Sequence, residues 1–88
     1  MHIQSSALRH GVSVEDIAHA WAFAIGIVNL ESGHEPPKRL SIGPDRAGNL
    51  LEIVYLEATG EDSAGDDVII HAMPLRTGLA VYLRRQRP

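Results

Sequence analysis

The sequence contains no cysteine. This absence excludes disulfide bonds and metal sites built from thiolates, and it fits a reducing compartment. Long apolar runs are also missing, because the longest, residues 17–30, is shorter than the roughly 20 residues of a membrane span and is interrupted by polar residues and a glycine. The N-terminus lacks the basic and then apolar segments of a signal peptide. We therefore expect a soluble, cytoplasmic protein that does not bind membranes.

An excess of positive charge is missing too. The chain has 8 basic and 11 acidic residues and a net charge of −3, which argues against a protein whose whole surface binds nucleic acid. The charges are unevenly distributed, with five acids and no basic residue in residues 57–67, and four arginines and no acid in residues 76–88. One interpretation is a solvated acidic loop and a basic tail. The other is a basic end of the molecule that binds phosphate.

Three common kinds of site have no sequence signal. The five histidines, at positions 2, 10, 19, 34 and 71, are not spaced like metal ligands. The chain has no glycine-rich phosphate loop with its lysine and no nucleophile elbow. We therefore expect neither a metal ion nor a cofactor.

What is present predicts one α+β domain spanning residues 1–88. Helices are expected at residues 5–9, ended by Gly11, and at residues 14–24, where Ser13 is a typical N-cap. Segments rich in β-branched or alternating apolar residues predict strands at 27–31, 39–43, 50–57 and 67–73. Thr77 is a candidate N-cap for a last helix. The predicted fold has two N-terminal helices, an antiparallel meander of about four strands and a C-terminal helix.

Residues 7–17 also resemble a helix-turn-helix, the motif in which a second helix carries polar and basic side chains to DNA bases. Here the second helix has Glu15 and Asp16 near its start and no lysine or arginine. Carboxylates at that end would repel phosphate, so DNA binding is kept only as a minor alternative.

The main candidate site lies on the strands. Period-two alternation places His71 on one face with Ile69 and Met73, and Glu52 among apolar neighbours on its own strand. A histidine and a glutamate inside apolar strands cost desolvation energy unless they are paired or face a cleft. Two alternatives remain open, a polar pair that only stabilises the sheet and a catalytic site.

The catalytic alternative is cleavage of RNA without metal. That reaction needs a base for the ribose 2′-hydroxyl, an acid for the leaving oxygen and cations for the phosphate. Histidine titrates near neutral pH, and the planar donors of arginine suit phosphate. The candidate catalytic residues are His71, Glu52 and Arg76. The candidate substrate contacts are Arg39, Arg76, Arg84 and Arg85.

Several segments resemble the BrnT-like toxins, which are RelE-like ribonucleases of bacterial type II toxin–antitoxin modules. These segments are Arg9-His10-Gly11-Val12-Ser13, Arg39-Leu40-Ser41-Ile42-Gly43, Gly48-Asn49-Leu50-Leu51-Glu52-Ile53-Val54-Tyr55 and residues 68–76. The chain departs from that family in its first strand, which is missing or truncated, and in its C-terminal segment, which lacks the family's later threonine and glutamate.

The resemblance implies a compact helix-and-sheet fold with an RNA-cleaving face. It implies an RNA substrate and a small antitoxin partner, often of ribbon-helix-helix type, and carries a phosphate-binding role to Arg39 and Arg76. A homodimer is left open. The alternative is a protein-binding module of the same fold without catalysis.

Overall fold

The computed structural model describes residues 1–31, 37–58 and 67–76, with the side chain of residue 31 left out. These residues form one α-helix, one 3-10 helix and five strands. In chain order they are β1 (His2–Ile3), the 3-10 helix (Ser5–Leu8), α1 (Val14–Ala22), β2 (Gly26–Glu31), β3 (Lys38–Pro44), β4 (Leu50–Leu56) and β5 (Val68–Pro74). None of the helices in these residues is long and apolar enough to cross a membrane.

The strands form a single mixed sheet in the order β1-β5-β4-β3-β2. From β2 to β5 each strand pairs antiparallel with the next, as expected for neighbours joined by short connections. β1 instead pairs parallel with β5, through His2 opposite Val68 and Ile3 opposite Ile69. Within the described ranges, β1 and β2 are therefore the two edges of the sheet.

Helix α1 covers one face of this sheet. It begins after Ser13, whose hydroxyl accepts a hydrogen bond from the backbone N–H of Asp16 at 3.1 Å, so the predicted N-cap is confirmed. Ile17 and Ala20 are fully buried on its sheet side. They belong to a core cluster that also contains Ala7, Leu51, Ile53, Tyr55, Ile69 and Ala72. A second cluster, Leu40, Ile42 and Val54, lies on the opposite face of the sheet.

The predicted fold class is wrong. Only one of the two N-terminal helices is an α-helix, because residues 5–8 form a single 3-10 helix whose Ser6 hydroxyl donates to the carbonyl of Ile70. The sheet has five strands and is mixed, because the chain before this turn pairs with β5. The helix-turn-helix interpretation fails with it, since no second α-helix accompanies α1 in residues 1–31. The predicted C-terminal helix falls on residues 77–88, outside the described residues.

A β-bulge in β5 changes which residues share a face. Val54 is opposite His71 but Tyr55 is opposite Ile69, so Ile70 is an extra residue in the pairing. Ile69 and Ala72 therefore pack in the α1-side core, and Ile70 packs against the other cluster. The prediction that His71 shares a face with Ile69 is wrong, because strict alternation does not hold across a bulge.

Gly43 lies where β3 passes α1. A Cβ atom there would overlap the backbone carbonyl of Ala20, whose carbon would be 2.9 Å away. We expect Gly43→Ala to lower the free energy of unfolding by about 1–3 kcal/mol, the usual cost of overpacking, because the helix and the strand must separate. The native fluorescence of Trp21, on the same helix, should change as well. Urea unfolding followed by this fluorescence measures both effects.

Gly48→Ala is the control for that variant. Gly48 has a φ of +93° and nothing within 4 Å of an added Cβ. Its replacement should cost about 1–2 kcal/mol of backbone strain and leave the native Trp21 emission unchanged. Identical native emission in both variants would contradict the close helix–strand contact at Gly43.

Candidate functional site

The candidate site is built around Glu52, in the middle of β4. Its Cα is opposite Ile42 on β3 and Met73 on β5, so it points away from α1 and belongs to the face that carries Val54. The Glu52 side chain is completely buried, with 0 % of it exposed. A carboxylate removed from water in this way needs several hydrogen-bond donors.

Arg76 supplies most of these donors. Its backbone N–H and its Nε donate to Glu52 Oε1 at 3.1 and 2.9 Å, and its Nη2 donates to Oε2 at 3.0 Å. The two side-chain hydrogen bonds form a bidentate contact, which is the strong form of an arginine–carboxylate pair. β5 ends at Pro74, the N–H of Leu75 still donates to the carbonyl of Leu50 at 2.9 Å, and the N–H of Arg76 then donates to the Glu52 side chain. Arg76 remains 62 % exposed, so the same guanidinium also faces solvent.

His71 joins the same carboxylate from β5. Its Nε2 lies 3.6 Å from Glu52 Oε2, which is beyond a good hydrogen bond but within ion-pair distance when the ring is protonated. The His71 side chain is 30 % exposed. The structure therefore brings together the three residues that the sequence suggested as catalytic, with Glu52 inside and His71 and Arg76 reaching the surface.

A fourth side chain, His10, also reaches this cluster. Its ring packs edge-to-face on the ring of His71, with the two centroids 5.1 Å apart. His10 follows the 3-10 helix and precedes Gly11, which has a φ of +80° that turns the chain toward α1. Sequence reasoning missed this residue, because 61 positions separate the two histidines and no spacing rule connects them. We call Glu52, Arg76, His71 and His10 the polar cluster.

The surroundings of His71 favour its neutral form. Burial lowers the pKa of His71 below the ordinary value, and the nearby His10 and Arg76 lower it as well, while Glu52 acts in the opposite direction. A neutral imidazole at pH 7 can accept a proton. Its neighbour Arg76 presents a permanent positive charge at the same surface, so the cluster combines a proton acceptor with an anion-binding group.

This arrangement predicts a specific pH dependence of stability. A histidine whose pKa is lowered by folding stabilises the folded state above the unfolded-state value of about 6.5, and this contribution is lost as the pH falls toward the folded-state value. We expect the free energy of unfolding to decrease below about pH 6.5 and to decrease less in His71→Phe. Urea unfolding of both proteins between pH 5 and 8 measures the difference. Parallel curves would contradict the lowered pKa.

Arg39 lies elsewhere. On β3 it is opposite Tyr55, on the α1 side of the sheet, whereas Glu52 is on the other side. Its Nε donates to Glu57 Oε2 at 2.8 Å, and its Nη1 donates to Asn29 Oδ1. The structure does not bring Arg39 to the polar cluster. Arg84 and Arg85, the other predicted substrate contacts, lie outside the described residues.

A second surface feature lies beside β2, at the edge of the sheet that is farther from β5. Phe23, Ile25 and Ile27 alternate along the chain from the end of α1 into the edge strand β2, and each is more than half exposed. Val14, in the first turn of α1, is exposed as well. We call Phe23, Ile25 and Ile27 the apolar patch.

Known proteins do not assign a role to either feature. Comparison of the chain with protein-family models, with curated proteins and with solved structures gave no match. Within residues 1–31, 37–58 and 67–76, no three histidine, aspartate or glutamate side chains are grouped as metal ligands. The side chains of the polar cluster and the short family-like motifs are therefore what indicates a function.

Proposed function

We propose that this chain is a metal-independent endoribonuclease and the toxin component of a type II toxin–antitoxin pair. The observation that carries the proposal is the polar cluster, in which one fully buried carboxylate holds an exposed guanidinium and a partly exposed imidazole side by side. These are two of the three groups that phosphodiester cleavage requires, a proton acceptor next to a cation, and water can serve as the acid.

Each residue has a separate role in this proposal. His71 takes the proton of the ribose 2′-hydroxyl, the 2′-oxygen forms a bond to phosphorus, and the bond from phosphorus to the 5′-oxygen breaks. The leaving 5′-oxygen takes a proton from water. Arg76 contacts the phosphate. Glu52 is a positioning residue, because a side chain with no exposed surface does not touch RNA.

The family-like motifs support the same assignment. Glu52 lies in the segment Gly48-Asn49-Leu50-Leu51-Glu52 and both His71 and Arg76 lie in residues 68–76, two of the segments that resemble BrnT-like toxins. The proposal includes the rest of that system, namely an RNA substrate in the cytoplasm and a small antitoxin protein that blocks the activity. Arg76 is its phosphate contact, and Arg39 is not used.

The test has a cellular and a biochemical part. Expression of the chain alone should stop bacterial growth, and co-expression of its antitoxin should restore it. The purified chain, in excess EDTA, should cut RNA into fragments that end in 2′,3′-cyclic phosphate. Arg46→Ala is the control, because Arg46 binds Asp16 at 2.8 Å on the α1 side and takes no part in the polar cluster. Intact RNA and normal growth with the wild-type chain would contradict the proposal.

The apolar patch favours a second candidate function, protein binding without catalysis. Exposed apolar side chains beside an open strand edge are typical of interaction surfaces. In this alternative the polar cluster only stabilises the sheet, and the chain binds a small protein partner through the apolar patch.

The two functions predict different variants to be inactive. For the binding module, Ile27→Lys should weaken the complex with that small protein in a titration, and His71→Ala should leave its affinity unchanged. For the ribonuclease, Ile27→Lys should leave RNA cleavage unchanged. RNA cleavage by the wild type would exclude the non-catalytic alternative.

A further inference from the structure

His10 is the member of the polar cluster that the proposed reaction does not use. It reaches His71 from a different part of the chain, since it follows the 3-10 helix that lies along β5. The contact is a ring-on-ring contact at 5.1 Å between centroids and 72° between planes. No step of the proposed reaction requires a second aromatic ring at this place, so its role needs a separate explanation.

We propose that His10 is a positioning residue for His71, holding its ring toward Glu52 and opposing a second positive charge there. This inference rests on the proposed function and deepens it, because it says what keeps the base neutral and aligned. The groups that face His71 are Glu52 from β4, Arg76 after β5 and His10 after the 3-10 helix.

Glu52 holds the ring of His71 only loosely. His71 is 30 % exposed and its Nε2 is 3.6 Å from Glu52 Oε2, so no short hydrogen bond to Glu52 fixes its ring. An edge-to-face neighbour restricts the rotation of an aromatic ring and stabilises it beyond the area it buries. His10 therefore supplies the restraint that the loose contact with Glu52 does not.

The contact with His10 also affects the protonation of His71. Arg76 already places one permanent positive charge beside His71, and a protonated His10 adds another. Two like charges at such short range disfavour protonation of His71. Repulsion from Arg76, and from His10 whenever that ring is protonated, therefore favours the neutral form of His71, and Glu52 offsets it once the proton has been transferred.

Two substitutions separate these roles. His10→Phe keeps an aromatic ring on His71 but removes the charge, whereas His10→Ala removes both. We expect the pKa of His71, measured by NMR of its imidazole, to rise in both variants. In RNA cleavage, the acidic limb of the pH–rate profile should move to higher pH in both. The maximal rate should stay within about 3-fold of the wild type in His10→Phe and fall about 10-fold or more in His10→Ala, as expected for a misplaced group.

His2→Ala is the matched control, since His2 is an exposed residue of β1 that does not belong to the polar cluster. The NMR titration is independent of catalysis. An unchanged titration of His71 in His10→Phe and His10→Ala would overturn the inference, even if the wild type cleaves RNA. A raised pKa in both, without RNA cleavage by any of the proteins, would support the coupling of the two rings and contradict only the proposed ribonuclease function.

Discussion

A His71→Ala variant is expected to cleave RNA about 10²–10⁴-fold more slowly than the wild type, the usual contribution of a positioned acid–base group. The expectation follows from the position of His71 in the cluster. It is the member that combines surface exposure with a pKa lowered by burial, so it is the group that is both neutral at pH 7 and within reach of a substrate. The first-order rate of cleavage of a short RNA by excess protein measures the effect.

The folded state of this variant should be nearly unchanged. Arg76 makes its three hydrogen bonds to Glu52 without help from His71, so the buried carboxylate keeps its main partners. Thermal unfolding therefore checks that lost activity is not lost structure. His71→Gln, which retains a polar side chain but takes up no proton at neutral pH, should be as slow as His71→Ala. Full activity in His71→Gln would show that proton transfer does not involve this residue.

Arg76→Ala is expected to have the largest effect on stability. Removing the guanidinium leaves the fully buried Glu52 carboxylate with the backbone N–H of residue 76 and a 3.6 Å contact to His71. Breaking one side of a buried ion pair costs about 3–5 kcal/mol. We expect about 3 kcal/mol here, because Arg76 is 62 % exposed and water can replace part of the lost contact. Urea unfolding at pH 7 measures the change.

Arg39→Ala is the matched control for this effect. It removes an arginine that also donates its Nε to a glutamate at 2.8 Å, but Glu57 is 37 % exposed whereas Glu52 is fully buried. Surface ion pairs of that kind contribute little to stability, because water screens both charges. Burial of the carboxylate is therefore what should separate the two variants. Equal losses of stability in Arg76→Ala and Arg39→Ala would contradict the central position of Glu52.

The sequence predicts strands β2 to β5 better than it predicts the other elements of the fold. β2 to β5 carry enough β-branched and alternating residues for their positions to be found to within one or two residues. β1 is only two residues long, too short for any alternation, and it forms because the edge of β5 offers a partner. The 3-10 helix has a helix-like sequence but ends after one turn, since Gly11 follows closely.

The polar cluster was predictable in part. Glu52 and His71 stand out because each is a polar residue inside an apolar strand, and Arg76 follows the last strand closely enough to reach them. His71 shares a face with Met73 by regular alternation, and their convergence depends on the register that sets Met73 opposite Glu52, which the pattern of residues does not signal. Arg39 is assigned to the same site by the family resemblance, but the register of β3 turns it to the opposite face. The position of the His10 ring against His71 depends on long-range packing, which no local sequence pattern predicts.

The role of His71 as the base in RNA cleavage can be measured with two substrates, a short RNA and the same oligonucleotide with 2′-deoxyribose at the cleaved position. In EDTA, the wild type should cut only the RNA, leaving a 2′,3′-cyclic phosphate and a 5′-hydroxyl, and His71→Ala should cut neither at a comparable rate. Equal cleavage of both substrates, or wild-type activity in His71→Ala, would contradict that role.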